Sequence, residues 1–239
     1  MKRQLFIILS AILLGTLNAQ TPQEEIKKVI DNYYSLEAFS MEIHYYIYKN
    51  HTATVSSEES IGIYQKQGNN LRVVQYGTEI IQNDKYVLVK DDSSEVMVLS
   101  KTKKDQNANF NIEQILLNYS KVEMLQSNKE GEEVLRLYFK KGLTEYEKLD
   151  VYINKKTHFI NQLVAYYAKA YDVSEDPNKS DYQKPKIKMV YTKFKSKPVF
   201  SADTFSVSKY IMINTSGKNK LKTKYSSYEF YDQTQQDAK

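Results

Sequence analysis

The chain of 239 residues has no cysteine and no tryptophan. Without cysteine there are no disulfides, so the fold must be held by burial of apolar surface, which a chain of this size can supply. A bacterial lipoprotein needs a Cys directly after its leader, so lipid anchoring at that position is excluded. After the first residues no apolar run approaches the roughly 20 residues of a membrane span. Catalytic signatures are missing too. His44, His51 and His158 are scattered, with no paired spacing for zinc. No Gly-x-Ser-x-Gly elbow, Ser-x-x-Lys motif or Gly-rich phosphate loop is present. The expectation is a protein that is not an enzyme, with no metal and no cofactor. The formal charge of +5 is mild and makes no case for nucleic acid. The Lys-rich stretches 101–104 and 218–224 read first as solvated loops and second as contacts for anionic headgroups.

What is present begins with a leader. Lys2 and Arg3 precede the apolar run Leu5 to Leu14 and a small, polar exit ending at Ala19. Residues 1–19 are read as a secretory signal peptide, its removal leaving a charge of 5 − 2 = +3. The mature protein is expected to be exported, monomeric and without an integral membrane span.

Thr21-Pro22-Gln23-Glu24 has the pattern of a helix start, with Thr21 as N-cap and Glu24 closing a capping box. Ile26, Val29, Ile30 and Tyr33 then fall on one face at helical spacing, with Glu25, Lys28 and Asp31 assigned to the polar face. From Phe39 the period changes to two: Phe39, Met41, Ile43, Tyr45 and Ile47 alternate with polar or aromatic residues, as on a half-buried strand. Between Ile61 and Ser100, short Val-, Ile- and Tyr-rich runs are separated by Gly68-Asn69-Asn70, Gly77, Asn83-Asp84 and Asp91-Asp92-Ser93-Ser94. These are turn signals of an antiparallel meander. A short helix is predicted over 112–119, and a second series of strands between Lys121 and Lys195. The loop Asp172 to Pro185 is polar, and the segment after residue 213 carries weak structural signals.

The fold class read from this pattern is mainly β with two or more helices (α+β). Ten or eleven strands should curl into a large antiparallel sheet forming an incomplete barrel, its apolar concave face covered by helices. The domain reading is a signal peptide over 1–19, a half-barrel over 20–213 and a polar tail over 214–239.

The leader, the capped first helix, the long first strand, Gly62-Ile63-Tyr64-Gln65-Lys66, Leu71-Arg72-Val73 and Asn83-Asp84-Lys85-Tyr86-Val87-Leu88 occur in this order. The arrangement resembles the periplasmic outer-membrane lipoprotein carrier family, the LolA/LolB-like fold, over roughly Thr21 to Ser208. The resemblance implies a periplasmic protein with a cavity for acyl chains beneath a helical lid, and with Arg72 at the position that helps hold the lid closed. The expected lining is Met41, Ile43, Tyr45, Ile63, Leu71, Met97, Leu135, Leu137, Phe139 and Met189, the methionines suiting a cavity that adapts to varied chains. The same residues also read as ordinary core. The expected function is a soluble carrier that binds acyl chains of lipoproteins or lipid and meets envelope proteins transiently. The alternative is a non-enzymatic interaction protein, a lipid-sensing regulator or an accessory subunit of an envelope machine.

Overall fold

The structure is a computed structural model that describes residues 21–103, 116, 118–174, 176, 178–214 and 218–234. The expected signal peptide and most of the helix expected over 112–119 lie outside the described residues. Of the latter, Leu116 is helical and buried.

The first element is α1 (Pro22–Ser35), which starts as the sequence predicts. The Thr21 hydroxyl accepts from the Glu24 amide at 3.3 Å, and the Glu24 carboxylate accepts from the Thr21 amide at 2.9 Å. Ile26, Val29, Ile30 and Tyr33 are buried. Glu25 does not stay on the polar face: it is 1% exposed. It lies one helical turn before Val29, on the same stripe, and its carboxylate meets His158 Nδ1 at 2.5 Å.

The strands are β1 (Ala38–Tyr48), β2 (Glu58–Gln67), β3 (Asn70–Gln75), β4 (Thr78–Gln82), β5 (Tyr86–Asp91), β6 (Val96–Lys101), β7 (Lys121–Leu125), β8 (Glu132–Tyr138), β9 (Tyr146–Asn154), β10 (Ile160–Tyr167), β11 (Tyr171–Asp172), β12 (Tyr182–Gln183), β13 (Lys186–Lys195), β14 (Ile211–Met212), β15 (Lys220–Leu221) and β16 (Glu229–Asp232). Twelve of them form one sheet in the order β16-β6-β5-β4-β3-β2-β1-β13-β10-β9-β8-β7. It consists of two antiparallel meanders, β1–β6 and β7–β10, stitched together where β13 pairs with both β1 and β10. Among the described residues the sheet does not close: β16 and β7 are its two ends. The expected class, a large antiparallel sheet left open with a helix against it, is the one observed.

α1 lies on one side, the inner face. Its stripe packs with Phe39, Met41, Ile43, Tyr45, Leu135, Leu137, Leu149, Val151, Ile153 and Leu163 in a first core. A second core, made of Ile81, Leu88, Met97 and Leu99 with Val207, Tyr210 and Ile211, has no counterpart among the expectations from sequence. Register places it on the opposite, outer face. Met41 faces Tyr64, Tyr64 faces Val73, and Val73 faces Ile80, so Ile81 points the other way, together with its partner Leu88. The chain beyond residue 200 supplies the cover. The boundary expected at residue 214 is therefore not the end of the fold: β16 extends the sheet, running parallel to β6.

Candidate functional site

Two inner-face rows run across the strands of the first meander. One passes directly opposite from strand to strand through Met41, Tyr64, Val73, Ile80, Val89 and Val98. Six strands at about 4.8 Å spacing make it about 24 Å long. It begins in the first core, where the rings of Phe39 and Tyr64 stack at 5.4 Å. It ends on side chains that are half-buried: Val73, Ile80, Val89 and Val98. The neighbouring row is Phe39, Lys66, Leu71, Gln82, Val87 and Ser100, with Leu71 and Val87 also half-buried. Val96, two residues before Val98 and on the same face, is half-buried as well. Leu71 and Val73 touch the first core. Among the described residues, neither core includes Ile80, Val87, Val89, Val96 or Val98.

Among the described residues, the result is an aliphatic face continuous with the first core but not packed into it. The backbone beneath it is amply paired, because each strand is laddered on both sides, so the face offers apolar contact without unsatisfied backbone groups. It has one cationic corner. Lys66 lies opposite Phe39 and Leu71, and loss of hydration lowers its ammonium below the ordinary lysine range. Among the described residues, no carboxylate lies within ion-pair distance of it. At the start of the face Gly62 has a steric role: a Cβ there would come within 2.9 Å of the Tyr45 ring and 2.8 Å of the Val74 carbonyl oxygen. The absent side chain lets Tyr45 lie flat across β2 and donate from its hydroxyl to Gln75 at 3.0 Å.

The expected lining residues divide between the two faces. Met41, Ile43, Tyr45, Leu135, Leu137 and Phe139 are buried in the first core, with Leu71 and Met189 partly buried against it. Ile63 is on the outer face, because its cross-strand partner is Glu42 rather than Met41. Met97 is fully buried on the outer face, in the second core. Neither shares a surface with the rest. Arg72 is likewise on the outer face. Its Nε donates to Glu79 at 2.7 Å and its Nη1 to Gln65 at 3.0 Å. Glu79 also accepts from the Tyr210 hydroxyl at 2.5 Å, so Arg72 is tied to the C-terminal segment rather than to α1. The residues that sequence reasoning misses are Lys66, Val73, Ile80, Val87, Val89, Val96 and Val98. Their signal is Val87-Leu88-Val89 and Val96-Met97-Val98-Leu99, runs with no polar face, which demand cover on both sides of the sheet.

A separate cavity of about 710 Å³ opens where β8 turns into β9, with Phe139, Leu143, Tyr146, Ala168, Lys141 and Lys184 in its wall. Of the expected lining residues only Phe139 touches it. Among the described residues no cluster of His, Asp and Glu is placed to hold a metal, and no helix is long and apolar enough to cross a membrane.

No family model matches the chain, and no curated protein matches it. Solved structures do. A conserved protein from Thermus thermophilus aligns over 89% of this chain and 99% of its own, at 12% identity and a TM-score of 0.44. A LolA superfamily protein from Nitrosomonas europaea aligns over 80% of this chain and 100% of its own, at 14% identity and a TM-score of 0.34. LprF from Mycobacterium bovis aligns over 74% of this chain and 94% of its own, at 11% identity and a TM-score of 0.39. At these values the likeness is one of general arrangement.

Proposed function

We propose that the protein is a non-enzymatic carrier for acyl chains of lipids or lipoproteins in the bacterial envelope, and that the chains lie along the inner face of β3 to β6. The observation that supports this reading is the row Val73, Ile80, Val89 and Val98, aliphatic, half-buried and continuous with the first core. Each methylene buried there contributes about 0.8 kcal/mol, so long chains gain affinity without a specific polar site. Valine and isoleucine are stiff at χ1, so such a surface would hold its shape when empty. Lys66, with its ammonium poorly hydrated, gains from an acidic group at the head of the chain.

The test is native mass spectrometry with lipid extraction on the protein purified from a periplasm. The wild type is expected to carry acylated species that added fatty acid displaces. Val89→Glu is expected to lose them while keeping its melting temperature within a few degrees. Val190→Glu, on the outer face, is expected to keep them. Should Val89→Glu fail to fold, Val89→Thr serves instead. A folded position-89 variant that carries lipid as the wild type does, or a wild type that neither carries lipid nor binds an apolar dye, would sink the proposal.

A further inference from the structure

Across the outer face of the other half of the sheet, one row alternates strictly between tyrosine and lysine. Tyr48 on β1 faces Lys186 on β13, which faces Tyr166 on β10. Tyr166 faces Lys148 on β9, which faces Tyr138 on β8, and Tyr138 faces Lys121 on β7. The ammonium groups lie over the rings: Lys186 over Tyr48 at 4.8 Å, Lys148 over Tyr166 at 4.5 Å and Lys121 over Tyr138 at 5.5 Å. In the next row Lys188 faces Tyr46 and lies over its ring at 4.9 Å. Each ring fixes a lysine that would otherwise sweep freely in water.

Asp150 and Glu123, the carboxylates set among these lysines, are already engaged, while Glu59, across Tyr46 from Lys188, accepts from the Ser56 hydroxyl at 2.5 Å. Asp150 is 2% exposed and gripped by the Arg136 guanidinium at 2.6 and 2.7 Å, with the Tyr166 hydroxyl at 3.1 Å. Glu123 pairs with Lys121 at 2.5 Å and accepts from Tyr138 at 2.9 Å. Lys186 donates to the His51 carbonyl oxygen at 3.0 Å, a neutral partner. Among the described residues, Lys148, Lys186 and Lys188 therefore have no ion-pair partner. Strand geometry sets Lys186 and Lys188 about 6.7 Å apart along β13, and Lys148 about 9.6 Å from Lys186 across two strands. Like charges held this close repel, and a bound anion would relieve them.

We propose that this face binds a linear acidic polysaccharide, with acid groups along the chain meeting Lys186 and Lys148 in one row and Lys188 flanking the first of them. Lys186 and Lys148 lie in one row across the strands, Lys188 flanks Lys186 in the next row, and in that row Asp150 neutralises Arg136. That suits a strand of spaced charges better than the two-dimensional field of a membrane surface. The lysines also cover the tyrosine faces, which removes the bare rings that stacking of nucleic-acid bases needs. The spacing is of the order expected of an extended glycan with one acid group on every second sugar.

The probe is a hyaluronan decasaccharide, titrated calorimetrically at low ionic strength, with neutral chitohexaose and phosphatidylglycerol vesicles as comparisons. The wild type is expected to bind hyaluronan in a salt-sensitive manner and to ignore chitohexaose. The triple variant Lys148→Gln, Lys186→Gln, Lys188→Gln is expected to bind at least about tenfold more weakly with an unchanged thermal melt. Removing the same charge elsewhere, by Lys218→Gln, Lys220→Gln and Lys222→Gln, is expected to change binding by less than about twofold. If the first triple variant melts early, Lys148→Gln alone is expected to weaken binding about threefold. Equal losses in the two triple variants, binding to vesicles without binding to hyaluronan, or no binding at all would each overturn the proposal.

Discussion

The two halves of the sheet bury opposite faces. On β7 to β10, β13 and β1, the inner face is packed into the first core with α1, while the outer face carries tyrosines, lysines and the buried Arg136–Asp150 pair. On β4 to β6 the outer face is sealed by the C-terminal segment, while the inner face is aliphatic and only half-buried. The dimensions explain why. A helix of 14 residues is about 21 Å long, whereas twelve strands span about 53 Å. α1 alone cannot cover such a sheet, which also twists away from it. Among the described residues, the chain covers part of the remainder from the other side and leaves an apolar inner surface where the cover changes over. In the proposed function that surplus surface is the binding site.

The comparison is broken most severely by removing one seal. Deleting residues 207–239 strips Ile81, Leu88, Met97 and Leu99, all at most 1% exposed, of Val207, Tyr210 and Ile211, and removes β16 from the edge of β6. Burial of each such side chain is worth roughly 1.5–3 kcal/mol. Hydrogen exchange should show β4 to β6 losing protection while β8 to β10 retain it. Equal loss in both halves would mean that the two cores fold as one unit.

A smaller effect is expected inside the α1 half. Leu137 has no exposed surface and packs within the first core, so Leu137→Ala should cost about 2–5 kcal/mol, read as a shift in the denaturant midpoint. Val89→Ala, on the half-buried face, should cost well under half of that. If the two substitutions cost the same, the inner face of β3 to β6 is as solidly packed as the first core, and the contrast between the halves fails.

The parts legible in the sequence are those governed by local rules. The Thr21 cap, the stripe of α1, the alternation along β1 and the turns at Gly68, Gly77 and Asn83-Asp84 each rest on a few neighbouring residues, and the structure has them. Which face of a strand is inner is not a local property. In Val96-Met97-Val98-Leu99 both faces are apolar, so alternation cannot tell that Met97 belongs with the C-terminal segment and Val98 with the open face. In Ser60-Ile61-Gly62-Ile63-Tyr64 the isoleucines look like the buried set. Yet Gly62 and Tyr64 are the buried pair, because register sets them against Ile43 and Met41. The resemblance assigns Arg72 to the lid, but its cross-strand partners Gln65 and Ile81 put it on the outer side. The Tyr and Lys ladder needs the register of six strands at once, and no window of sequence contains it.

The smallest expected effect concerns how tightly α1 is held. Glu133 lies on the inner face of β8, on the same side as Leu135 and Leu137, and its Oε1 is buried without a hydrogen-bond partner. Burial first, and the negative charge of Glu25 second, raise its carboxyl above the ordinary range, while Lys155, His158 and Lys28 oppose the shift. A carboxyl raised in the folded state binds its proton more tightly there than in the unfolded chain. Its effect on stability is therefore neutral below the unfolded value and becomes unfavourable as pH climbs through the folded one. Glu133→Gln removes that ionisation. The variant should melt above the wild type at neutral pH, and the gap should narrow as pH falls through the carboxylate range. Melting curves between pH 4 and 8, about the ordinary carboxylate value and above it, measure this directly. A gap that stays constant with pH would assign the effect to packing rather than charge. A gap that closes would locate, beneath α1, an acidic strain that the half sealed by the C-terminal segment does not share.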